Sequence, residues 1–296
     1  MDQGAFAASY DDLLREPRTR RLWGDSGYYN VGFWAANPPD LPTACDHMVD
    51  QLLLPVADDA AVIVDLGCGL GATTRRIRER FPDTFVVAAN LSPWQLLRAR
   101  ERGARAALAT DGAELALADG SVDAIVSVEA VQHFPTRRAF LAEALHVLRP
   151  GGTLTAADML FDDGNAMGWE MFPGDNLGWR VEDYERELDA LGFVDVEVRD
   201  VTDITWRPFL EVFRSGYDPD DPQPGLIGDA LAQYVLVTAQ RPATPVRDLP
   251  TRRRERPAGP ARAPRPTTSS SGRERSARWV GRAIRRARAA RRSRRR

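Results

Sequence analysis

Between residues 61 and 159 the chain alternates short runs of β-branched and other apolar residues with longer segments whose apolar positions recur every three or four residues. The runs at 61–66, 84–89, 104–110, 122–128 and 153–158 are predicted strands. Segments at about 71–80, 93–102 and 136–148 are predicted helices, the last stopped by Pro150-Gly151-Gly152. Further on, 181–191 reads as a helix, and 194–201 and 231–239 read as strands, the last ending before Arg241-Pro242. Strand alternating with helix predicts an α/β, doubly wound, mostly parallel sheet with helices on both faces. Ahead of it, helical patterns at 5–15 and 42–54 flank an aromatic segment, 23–34. From Pro242 onward the periodicity stops and Pro, Ser and Arg dominate. The expected organisation is an N-terminal helical and aromatic segment (1–60), a core (61–241) and a disordered Arg-rich tail (242–296).

Charge sharpens that division. Residues 251–296 hold 18 Arg against Glu255 and Glu274, whereas residues 1–250 hold 22 Arg against 40 Asp and Glu. An acidic body of net −18 is a poor match for nucleic acid, so polyanion binding would belong to the tail. There, Trp279-Val280-Gly281-Arg282-Ala283-Ile284-Arg285-Arg286-Ala287 has apolar residues at helical spacing among arginines. That pattern allows a basic amphipathic helix on anionic membranes or RNA, although blocks of like charge favour a solvated, disordered extension. No stretch approaches a transmembrane span, the first residues do not read as a secretory signal, and Cys45 and Cys68 cannot build a disulfide framework. A soluble, cytoplasmic protein is expected.

The most informative segment is Val62-Ile63-Val64-Asp65-Leu66-Gly67-Cys68-Gly69-Leu70-Gly71, an apolar strand running into three alternate glycines where a helix begins. Glycine there permits a tight turn and close approach of a ligand to the backbone. Spacing alone also satisfies the dinucleotide fingerprint. Asp65 argues against it, since a carboxylate facing the ligand would repel a diphosphate and attract an ammonium group.

Asp65-Leu66-Gly67-Cys68-Gly69-Leu70-Gly71 resembles motif I of the class I S-adenosylmethionine-dependent methyltransferases, and the likeness runs through roughly residues 20–240. It implies a Rossmann-like seven-stranded sheet with an antiparallel last strand, an N-terminal helical lid and S-adenosylmethionine as cofactor. It further implies that Gly67 and Gly69 cradle the cofactor and that Asp111 and Gly112 meet its adenine. Asn90 stands where the family usually has an acid for the ribose. Leu91-Ser92-Pro93-Trp94-Gln95 resembles the subfamily in which Gln takes that contact; otherwise Gln95 is a solvated helix residue. Glu129 lies beside the sulfonium in relatives, and Tyr28 belongs to a lid over the methionine end.

For chemistry, His133 is the candidate base, because imidazole titrates near neutral pH, and Asp158 is the residue expected to orient it. The alternative is that His133 shapes the pocket and Asp158 caps a loop. Trp169, Met171, Phe172, Trp179, Trp206, Phe209 and Phe213 either line an acceptor pocket or pack a cap. No metal site is expected. The resemblance implies methyl transfer to a small-molecule acceptor, with a hydroxyl first; C- or N-methylation and a non-catalytic scaffold remain open, as does self-association.

Overall fold

The computed structural model describes residues 3–162, 172–216, 229–243 and 280–289. The core elements are β1 (Val62–Leu66), α4 (Ala72–Arg80), β2 (Phe85–Asn90), α5 (Pro93–Glu101), β3 (Ala106–Ala109), β4 (Val122–Val128), α6 (Arg137–Val147), β5 (Leu148–Phe161), α7 (Val181–Leu191), β6 (Val194–Asp200), α8 (Trp206–Arg214) and β7 (Leu231–Gln240). Three helices precede them: α1 (Gln3–Arg15), α2 (Pro17–Trp23) and α3 (Leu41–Leu53). The seven strands form one sheet in the order β3-β2-β1-β4-β5-β7-β6. Strands β1 to β5 pair in parallel, while β7 runs antiparallel to both β5 and β6.

Alternation along β1 explains the layering. Ile63 packs with α3 and α4 residues such as Met48 and Ile77, whereas Val62, Val64 and Leu66 pack with α6 and α7 residues such as Phe140 and Leu188. All five β1 residues are buried, as they must be in a strand covered on both faces. The strand order reverses direction between β1 and β4, and the carboxyl ends of those strands open the crevice in which such sheets bind ligands.

Three differences from the sequence reading have physical causes. Strand β5 is longer than the 153–158 run, because Leu148 pairs with Val122 ahead of a bulge and the strand's far end pairs with β7. Helices α2 and α8 were not anticipated. The first is only seven residues long, opened by Pro17, and too short to show periodicity. The second buries Trp206, Phe209 and Leu210 against the N-terminal helices. In the tail, residues 280–289 are helical, and Val280 and Ile284 are buried in the α6–α7 side of the core. Arg288 donates to the Gly120 carbonyl at 2.8 Å and lies 3.8 Å from Asp123. Disorder is therefore wrong for this segment: its apolar stripe finds a buried face, and the acidic body attracts its arginines. Trp169, Met171 and the rest of the tail lie outside the described residues. No described helix is long and apolar enough to cross a membrane.

Candidate active site

At the end of β1 the chain turns through Gly67, Gly69 and Gly71, all at positive φ. A Cβ at Gly67 would fall 2.3 Å from that of Ala130, and one at Gly71 would fall 2.6 Å from the Ala99 backbone. These glycines let the loop lie against β4 and α5. A Cβ at Gly69 would meet no protein atom within 4 Å, so this stretch of backbone opens onto the cavity. Asp65 does not face that space as expected. Its carboxylate is buried and accepts the Thr74 hydroxyl at 2.5 Å, tying β1 to the first turn of α4 where Gly71 offers no capping side chain. Burial pushes its pKa up to about 7. Asp65 therefore does not turn a diphosphate away from this space by charge.

A cavity of about 260 Å³ lies above the loop, at the carboxyl ends of β1, β2 and β4. It gathers Gly67, Gly69, Asn90, Leu91, Gln95, Asp111, Gly112, Glu129 and His133, which come from six segments of the chain. Asn90 donates to Gln95 Oε1 at 2.9 Å and accepts from the Ser92 amide at 3.1 Å. Asp111 accepts from the Ala113 amide at 2.9 Å and from the Gln3 side chain. Beside it, Gly112 leaves room for the Phe134 ring, which a Cβ there would strike at 2.6 Å.

Glu129 ends β4 in the left-handed region, at φ +50, a conformation that costs free energy for a non-glycine residue. Its Oε1 accepts from the Val31 amide at 2.8 Å and the Tyr234 hydroxyl at 2.7 Å. Burial pushes its pKa up to about 8. This carboxylate joins the aromatic segment to the sheet. Tyr28 is not a cavity residue: its hydroxyl donates to Asp46 at 2.5 Å, and its ring is buried in the α3 layer. The adjacent Tyr29 takes the cavity position, together with Phe6, Ala7, Tyr10 and Leu14 of α1. Sequence reasoning missed that lining, although the spacing of those four α1 residues, along one helical stripe, carries the signal.

His133 faces the same cavity from the short helical turn after β4, within an aromatic enclosure. Phe172 stacks on it at 5.1 Å with a 13° interplanar angle, and Phe6 and Tyr10 each lie at 5.4 Å. Of the other aromatic candidates described, Trp206 and Phe209 pack the core instead.

Asp158 is not the orienting partner of His133. It is fully buried, accepting from Arg137 Nε at 2.7 Å, the Tyr184 hydroxyl at 2.8 Å and the Met159 amide at 2.8 Å. Arg137 is equally buried and also donates to the carbonyls of Met159 and Asn176. Asn176 in turn donates to the carbonyls of Gln132 and Phe134, on either side of His133. Asp158 thus holds the backbone around the imidazole at two removes, through Arg137, which neutralises its charge, and Asn176. Nothing in the sequence distinguished Arg137 or Asn176, since their importance comes from buried hydrogen bonds to residues distant in the chain.

The chain matches a methyltransferase domain family over residues 64–156. It is 30% identical to an O-methyltransferase of Pyrenophora dematioidea over 55% of this chain and 62% of that protein. It is 27% identical to erythromycin 3''-O-methyltransferase of Saccharopolyspora erythraea over 63% of this chain and 68% of that protein. The chain thus spans between about half and two thirds of the length of the curated relatives it matches. A geranyl diphosphate methyltransferase solved with GPP and sinefungin has the same fold, with a TM-score of 0.67 at 22% identity, covering 81% of this chain and 99% of that one. The residues of the cavity suit S-adenosylmethionine: an open glycine backbone, side-chain amides and carboxylates for its hydroxyl and amino groups, and aromatic rings from the lid. The matched methyltransferase domain, the strand order and the glycine loop together make the chain similar to the class I S-adenosylmethionine-dependent methyltransferases.

Proposed function

We propose that the protein transfers the methyl group of S-adenosylmethionine to a hydroxyl of a small-molecule acceptor, with His133 as the base. Bound S-adenosylmethionine supplies a methyl on a sulfonium whose thioether leaves without needing an acid. The protein's tasks are alignment, exclusion of water and removal of the acceptor's proton. Gly67 and Gly69 would hold the cofactor through their backbone, Asn90 and Gln95 its ribose, and Asp111 and Gly112 its adenine. The observation that carries the reading is the position of His133, which opens on the same cavity as the glycine loop while three aromatic rings surround it. Such a wall suits a flat or apolar acceptor and keeps the imidazole away from bulk water.

The experiment is an acceptor panel of phenols, sugars and macrolide-type alcohols with labelled cofactor. His133→Ala is expected to lower turnover about 10²–10⁴-fold, the usual worth of a general base. The affinity for S-adenosylhomocysteine should stay within about threefold, because the imidazole acts on the acceptor. Undiminished turnover would remove His133 from the chemistry. Glu129 supports a second reading. A buried carboxylate on the cavity wall would favour an amine acceptor, and loss of amine methylation alone in Glu129→Gln would select it.

A further inference from the structure

We propose that Asp11, on the N-terminal helix, is a positioning residue for the ribose of the cofactor. It supplies from α1 the carboxylate that the end of β2 lacks. The inference rests on the assignment of S-adenosylmethionine to this cavity.

Asp11 is more than nine-tenths buried, although only it and Leu14 are buried on α1. Its two oxygens are divided between two residues at the start of α5. Oδ2 accepts the Ser92 hydroxyl at 2.8 Å, and Oδ1 accepts Gln95 Nε2 at 2.7 Å. Both partners line the cavity, as do Tyr10 and Leu14 beside Asp11 on α1. A carboxylate only accepts, whereas an amide both donates and accepts. Asp11, which can only accept, and the Ser92 backbone amide, which can only donate, therefore fix the sense of the chain of bonds from its two ends. Gln95 must turn its NH₂ toward Asp11, which directs its Oε1 to the Asn90 NH₂, and Asn90 in turn directs its Oδ1 to the Ser92 amide. Without an anion at the head, only the Ser92 amide would hold the sense of the chain, and Gln95 would lose the partner that anchors its NH₂.

The arrangement has two consequences. A ribose bears two hydroxyls, each able to donate and accept, so its recognition depends on which end of each amide faces it. The polarity that an acid on β2 would impose directly is imposed here across 84 residues of sequence. Its Gln95 end is held only while α1 lies over the cavity. The other end of α1 is fastened as well, by Gln3 on Asp111, so lid position and nucleoside recognition share the same hydrogen bonds. Ser92 has a second duty as the N-cap of α5, accepting from the Gln95 amide at 3.2 Å.

The test is calorimetric titration of the full chain with S-adenosylhomocysteine and with its 2′-deoxy and 3′-deoxy analogues, on wild type, Asp11→Asn and Ser92→Ala. Asp11→Asn is expected to weaken the parent ligand about 10-fold or more while weakening at least one deoxy analogue far less, since the lost hydroxyl is the group being oriented. In turnover assays the KM for the cofactor should rise with kcat within about twofold, the signature of lost binding rather than lost chemistry. Ser92→Ala, which leaves the Asp11–Gln95 bond in place while removing the α5 cap, should show a smaller effect of the same kind, and a thermal midpoint of Asp11→Asn close to that of wild type guards against a folding defect. Equal weakening of all three ligands would reduce Asp11 to a structural tie and overturn the proposal. So would unchanged binding. Wild type that fails to bind the parent ligand would overturn both this inference and the cofactor assignment, which separates the two failures.

Discussion

Glu129 shows how much one side chain can be asked to do. It closes β4 in a strained conformation, accepts two hydrogen bonds that anchor Val31 and Tyr234, and lies on the cavity wall. Burial raises its pKa from an ordinary value of 4.5 to about 8, so the folded protein retains a proton that the unfolded chain releases. The resulting stabilisation is fully present below about pH 4.5 and is lost as pH rises through about 8. Glu129→Gln carries no such proton. In chemical denaturation from about pH 5 to 9, wild-type stability should therefore fall relative to that of the variant, and parallel curves would contradict the burial of an ionisable carboxyl. The position of Glu129 was legible from the order of motifs along the chain. The roles of Asp65, Tyr28 and Asp158 were not, because each carboxylate or hydroxyl is satisfied by a partner remote in sequence: Thr74, Asp46 and the Arg137–Tyr184 pair.

Among elements, the sheet strands and the helices α4 to α7 could be read because apolar periodicity and glycine or proline stops agree there. Helices α1 and α3 showed through the same signal, but that α1 closes the site did not, since contacts such as Asp11 to Gln95 connect residues far apart. The helix at 280–289 was misjudged for a related reason. Composition reports the arginines, whereas Val280 and Ile284 decide the outcome by meeting the α6–α7 face. Removing residues 251–296 should leave methyl transfer intact, because no residue of this helix lines the cavity. It should also lower the unfolding free energy by about 2–4 kcal/mol, the worth of exposing two aliphatic side chains and leaving their seat uncovered. An unchanged denaturation midpoint would mean that the helix does not hold its place in solution.

At the scale of the molecule, the fold delivers the site by a simple device. Strands running in parallel from β1 to β5 bring their carboxyl ends to one edge, and the reversal of strand order beside β1 opens a crevice there. Into that crevice the chain directs glycine backbone, the Asp111 and Glu129 carboxylates, the Asn90 and Gln95 amides and the His133 imidazole, then covers them with an aromatic face of α1. Acidity belongs to the body and basicity to the tail, so the molecule is not built to seat a polyanion at this edge. Since Asp65 is turned away from the ligand, selectivity between an adenosyl amino acid and a dinucleotide must come from the cavity wall itself, where Asp111 and Glu129 stand. The most direct measurement is titration of the full chain with S-adenosylmethionine and, separately, with NAD. The account predicts saturable one-to-one uptake of the adenosyl donor, abolished by Gly69→Trp, and no heat from NAD. Saturable binding of NAD with none of S-adenosylmethionine would contradict it.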